Sequence, residues 1–258
     1  MTTIKVEGRE ITVSENLDRV VDDWYQLSLE KCGRPGIPFT IKNRREFRLL
    51  PHLSRVSTAF PYSDGQVVVL VVALDNTDAI DEATVAHEIL HWILILEGFP
   101  QFKDHKQPHN DCQIMLGSVL SHVPLNQRLA KYRFEYLTEV DGLADEVVAA
   151  ITQREDWNLA RPELIAKSLL CVDILQNCTL KKRQVLEEAV SINTPLAQYV
   201  HGCLDVLSHY DLMDSESTRR AGRKLISFLG LNKFGNYIEY DTVPKLRDML
   251  KALRDHQE

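Results

Sequence analysis

In the run Thr84-Val85-Ala86-His87-Glu88-Ile89-Leu90-His91-Trp92-Ile93 two histidines stand four residues apart, with a glutamate directly after the first. On an α-helix, residues i and i+4 lie one turn apart on the same face, so His87 and His91 can hold one metal ion. Glu88 is turned about 100° from His87, where its carboxylate reaches a water on the metal rather than the metal itself. Zinc lowers the pKa of such a water towards neutrality, and Glu88 can take its proton and hand it to a leaving amine. Every other residue of the run is uncharged. Two imidazoles and a carboxylate on so apolar a helix are costly to bury unless something pairs them, and a metal ion would do so.

A catalytic zinc site takes three protein ligands and keeps a fourth position for water, so one ligand must come from downstream. His122 is the first candidate. It shares the inward face of a helix expected over 111–123 with Met115 and Val119. Its rivals are Glu139, Asp141, Asp145 and Glu146 on a helix expected over 137–153, and Glu135 at that helix's entrance. One of Glu139, Asp141 and Asp145 could instead accept a ring N–H from a liganding histidine. A solvated acidic face is the plain alternative for each. His105 and His109 fall in a polar stretch, 101–110, read as a loop. Tyr132, Arg133 and Tyr136 could stabilise an oxyanion, but no spacing selects one of them.

The segment 86–93 resembles the active-site helix of the zincin metallopeptidases. In that fold a mixed sheet precedes the motif helix, and an edge strand of the sheet pairs with extended substrate. The order here is similar, strand-rich up to Leu74 and then the motif. The resemblance implies a zinc-dependent hydrolase, a peptidase with Glu88 as general base, and a peptide or protein substrate lying along a strand at 55–60 or 67–72. The metzincin continuation H-x-x-G-x-x-H is missing: Leu94 stands at the glycine position and Glu97 at the third histidine. Without a helix breaker there, Glu97 lies about 15 Å along the axis from His87, which suits a cap or an ion pair better than ligation. The alternative from another class is a regulatory or interaction protein on a zincin scaffold, with a structural or vestigial metal.

Hydrophobic spacing supplies the elements that must carry these residues. A hairpin is expected over 3–13, and a helix capped by Ser14 runs to about residue 31. A strand is expected at 37–41 and a second hairpin from 55–60 and 67–72, joined through Asp64-Gly65. The motif helix spans 81–97 and stops at Gly98-Phe99-Pro100. Beyond it come helices at 111–123, 125–132, 137–153, 162–177, 180–190, 195–207, 216–229 and 243–256. The fold class is therefore α+β: a small mixed sheet with the motif helix, then a largely α-helical C-terminal half. The expected domains are 1–157, zincin-like, and 158–258, helical, joined within 156–162.

Composition narrows the rest. The chain has 258 residues, 44% hydrophobic and 26% charged, ordinary for a globular protein. Thirty basic against thirty-seven acidic residues give a net charge of -7, which argues against nucleic acid as the main partner. No apolar run is long enough to span a bilayer, and residues 1–14 hold no signal-like apolar core. Five widely spread cysteines without a C-x-x-C pair fit reduced thiols in a cytoplasm.

Overall fold

In a computed structural model, residues 3–6, 9–33, 36–44, 58–63, 67–106, 110–153 and 159–255 are described. Their elements in chain order begin with β1 (Thr3–Val6), β2 (Arg9–Thr12), α1 (Glu15–Cys32), β3 (Phe39–Asn43), β4 (Thr58–Ser63) and β5 (Val68–Leu74). Then come α2 (Glu82–Leu96), β6 (Gln101–Asp104), α3 (Asp111–Lys131), α4 (Leu137–Gln153), α5 (Arg161–Asn177) and α6 (Leu180–Ile192). The chain closes with α7 (Thr194–Ser208), α8 (Ser215–Leu229), β7 (Tyr237–Tyr240) and α9 (Val243–Asp255). The α+β class with a small mixed sheet is therefore present.

Two compact units make up the chain. The first holds Met1–Gly98, Arg128–Phe134 and Asp241–Glu258, the second Phe99–Gln127 and Glu135–Tyr240. Each is interrupted along the chain, so neither coincides with one side of a division at 157/158.

In the first unit the sheet order is β2-β1-β3-β5-β4. Strands β1, β3 and β5 run parallel, while β2 and β4 are antiparallel at the two edges. The sequence VVLVVAL of β5 is buried at every position but one, the continuous apolar run expected of a strand covered on both faces. Helices α1 and α2 pack on one another. Ser14 caps α1 by accepting from the Leu17 N–H, and both its own N–H and its hydroxyl donate to Glu82 in the first turn of α2. Asp81 caps α2 by accepting from the Ala83 N–H at 3.0 Å and the Thr84 hydroxyl at 2.7 Å. Gly98, at φ 93°, follows the end of that helix. Of the expected 55–60 strand, residues 55–57 lie outside the described residues, as do 64–65 of the turn, His109 and 156–158 of the join.

In the second unit α5 is the central helix, buried on almost every face from Leu164 to Asn177 and packed against α4, α6 and α7. Two features differ from expectation here. Residues 101–104 are not loop but a strand, β6, paired antiparallel with β7 from Gln101↔Tyr240 to Asp104↔Tyr237. The helices expected at 111–123 and 125–132 are one, α3, which continues through Pro124. A proline inside a helix costs about 3 kcal/mol through a lost hydrogen bond and a clash. Leu120, Leu125 and Leu129 are each 2% exposed or less. At about 1.5–3 kcal/mol per buried leucine, keeping all three covered outweighs that cost. Residues 111–127 of this helix belong to the second unit and its last turn to the first. Among the described residues no helix is long and apolar enough to cross a membrane.

Candidate metal centre

Helix α2 holds His87 and His91 half-buried, while Val85, Ala86, Ile89, Leu90, Ile93 and Leu94 pack into the first unit's core. The i, i+4 spacing turns the two rings together: their centroids are 4.8 Å apart at 75°, and the two Nε2 atoms are 3.1 Å apart. Two nitrogens so placed, each about 2.0–2.1 Å from a common zinc ion, would subtend about 95–102° there, a little under the tetrahedral angle. The donor set and the convergence of the lone-pair atoms therefore fit a metal of this kind. The same separation also suits a ring-to-ring hydrogen bond, which needs one Nε2 protonated and the other not.

Glu88, 9% exposed, lies beside them against the sheet. Burial pushes its carboxyl up to about 8, although the Ala59 N–H that it accepts from and the nearby positive charge of Arg44 both pull it down. One turn further, the Trp92 indole N–H donates to the Ala59 carbonyl at 2.9 Å. Helix α2 thus holds both backbone groups of one residue of β4, and those groups face away from β5. Two residues on, in the same outward register, stands Pro61, which has no N–H to offer. The edge strand expected at 55–60 is thus β4, in its described part, and 67–72 is the inner strand β5. Arg44, at the end of β3, faces Asp75 at 3.4 Å, and its guanidinium nitrogens are buried without a hydrogen-bond partner among the described residues.

His122, half-buried on α3, is fixed within the second unit. Its Nδ1 lies 2.8 Å from Asp173 Oδ2 on α5. Burial alone would lower its pKa, but the Asp173 charge and hydrogen bond, with a contribution from Glu139, raise it overall. In the neutral ring, with Nδ1–H donating to Asp173, Nε2 is the nitrogen that carries the lone pair, the form in which imidazole ligates a metal. The carboxylate is itself held: Asn177 Nδ2 donates to Asp173 Oδ1 at 3.1 Å, and Asn126 Nδ2 donates to Asn177 Oδ1 at 2.9 Å. Asp173, Asn177 and Asn126 are all under 10% exposed. Spacing along the chain did not disclose this group, because Asp173 lies 51 residues from its histidine. A polar pair at i, i+4, Asp173 and Asn177, near the end of a largely apolar helix was the available signal.

The acidic candidates serve elsewhere. Glu135 caps α4 by accepting from the Leu137 N–H at 2.9 Å and the Thr138 N–H at 3.3 Å. Asp141 accepts from the Thr179 N–H and hydroxyl at 2.9 and 2.8 Å, fixing the start of α6. Asp145 pairs with Lys182. Glu139 and Glu146 are exposed, as is His105. Glu97 pairs with Arg128, Nη1 to Oε1 at 2.8 Å, in the first unit. The Tyr132 hydroxyl donates to Asp23, and burial together with that carboxylate raises its pKa, so it is poorly suited to steady an oxyanion. All five cysteines are buried free thiols. Comparison with protein-family models, with curated proteins and with solved structures gives no match.

Proposed function

We propose that the chain is a zinc-dependent hydrolase of zincin type, a peptidase acting on a peptide or protein in a reducing compartment such as the cytoplasm. The observation that carries this reading is the pair of Nε2 atoms 3.1 Å apart on a buried helix, with the Glu88 carboxyl next to them in sequence. His87 and His91 would hold the metal, with His122 as third ligand. Support for His122 is its Asp173 partner, the arrangement by which ligating histidines are oriented, whereas the rival carboxylates cap helices, pair with lysine or face solvent. A bound zinc ion would supply Lewis acidity towards water and a substrate carbonyl.

The remaining roles fall to side chains of this chain. Glu88 Oε atoms hold and move a proton. The apolar surroundings that raise its pKa keep that proton near neutrality, and a neighbouring cation favours the ionised, proton-accepting form. The Ala59 N–H orients the carboxyl, and Trp92 fixes Ala59 from the other side. The test is metal content and peptide hydrolysis of untagged protein beside its Glu88→Gln variant. The variant should keep the metal and lose hydrolysis; hydrolysis unchanged in Glu88→Gln would end the catalytic reading.

One observation favours a second reading, a regulatory or interaction protein with a structural metal. The outward backbone groups of Ala59 are already engaged by α2, and Pro61 lacks an N–H, so this stretch of β4 offers an extended substrate little to pair with. Four protein ligands and no water around the bound ion would favour that reading.

A further inference from the structure

Away from the histidines, the second unit has a cleft of about 420 Å³ between the ends of α5 and α7 and the start of α6. Its floor is aliphatic: Leu175, Leu207 and Leu212 are 2%, 4% and 7% exposed. Two of the polar side chains that line it each carry a buried atom that has no hydrogen-bond partner among the described residues, Gln176 Oε1 and Arg183 Nε. A buried acceptor and a buried donor with no protein partner each have a hydrogen bond left for a ligand to make. The two other charged residues of the lining, Glu187 and Asp211, are acidic and exposed. Against one arginine they disfavour an anionic ligand.

We infer that this cleft binds an uncharged amide with an aliphatic body, such as a backbone unit of a short apolar peptide. An amide offers what the walls lack. Its carbonyl accepts from Arg183 Nε–H, its N–H donates to Gln176 Oε1, and a leucine-sized side chain covers the aliphatic floor. Small rotations of the two polar side chains bring the buried atoms to the ligand. The volume accommodates one or two residues of peptide, not a folded partner. No metal takes part, so the inference stands or falls separately from the hydrolase reading.

The probe is N-acetyl-leucinamide, titrated into the full chain and followed by NMR of the leucine methyl groups and the Gln176 side-chain amide. Saturable shifts at Leu175, Leu207 and Gln176 are expected, unchanged in a His91→Ala background. N-acetyl-leucine, the anionic counterpart, and isoamyl acetate, which has no N–H, should each bind about tenfold more weakly or worse. Gln176→Leu and Arg183→Met should each weaken N-acetyl-leucinamide by a similar factor while leaving the circular dichroism unaltered. Absence of saturable shifts, equal binding of the ester, or wild-type affinity in both folded variants would overturn the inference.

Discussion

Helices α2 and α5 present the same physical situation twice. Each is the most buried helix of its unit, and each carries polar groups at i, i+4 in an apolar sequence. They resolve it differently. On α5, Asp173 and Asn177 meet side chains from another helix, His122 and Asn126, and every bond is made within the protein. On α2 the two imidazole Nε2 atoms stand 3.1 Å apart, and the neighbouring carboxyl has one backbone N–H and the field of an arginine. A carboxylate held by amides and an imidazole builds a fold; two imidazole nitrogens brought this close are also suited to share a cation. On the proposed reading α2 would bear two of the ligands and α5 would aim the third.

The contrast can be broken most forcefully at α2. His87→Ala or His91→Ala should weaken zinc binding on the order of 1,000-fold or more, read by competition with a chromophoric chelator, with secondary structure kept. At α5, Asp173→Asn should lower zinc affinity by only about 10–100-fold in the same assay, since it disturbs the orientation of His122 and removes no ligand. If Asp173→Asn leaves the affinity unaltered, His122 is not a ligand or Asp173 does not aim it.

Stability should show the converse order. Asn126→Leu strands the Asn177 carbonyl in a buried site and should cost about 1–3 kcal/mol in urea unfolding, with little effect on zinc affinity. In chelator-stripped protein Glu88→Gln should stabilise. The folded state holds the Glu88 proton more tightly than the unfolded chain, from the ordinary 4.5 up to about 8. Folding is therefore favoured below the unfolded value and loses that contribution as pH rises through the folded one. The advantage of Glu88→Gln in melting temperature should grow between about pH 4.5 and 8. A pH-independent difference would show that the carboxyl is not held protonated by burial.

Smallest of all is the half-buried cluster of the second unit in which Arg219 and Arg223 pair with Glu239. Burial works against the ionised carboxyl, but the two arginines prevail and lower its pKa, so its contribution is present above the unfolded value and lost as pH falls through the folded one. Because the group is only half-buried and solvent screens it, Glu239→Gln should cost no more than about 1 kcal/mol in urea unfolding at pH 7, and less at high salt.

What the residue pattern disclosed, and what it hid, follows the range of the interactions. Caps and periodicity are local, so the Ser14 cap and the helices from α4 to α9 were legible, as was the pairing of His87 and His91 on one helical face with Glu88 turned beside them. Pairings between distant segments were not. Strands β6 and β7 are four residues each and separated by more than 100 positions, and Asp173 finds His122 across 51. Pro124 reads as a break because local propensity opposes it, yet burial of the leucines around it prevails. The acids at 135–146 looked like ligands because a run of carboxylates has the right chemistry. Their partners, the N-terminus of α4, Thr179 and Lys182, appear only once the helices are packed.

Zinc K-edge absorption spectroscopy of the untagged, zinc-loaded chain tests the central claim most directly. One ion per chain is expected, with three imidazole nitrogens and one water oxygen at about 2.0–2.1 Å, and a weakened imidazole multiple-scattering signature in His91→Ala. Wild-type protein that takes up no zinc, or a spectrum the same after His91→Ala, would contradict it.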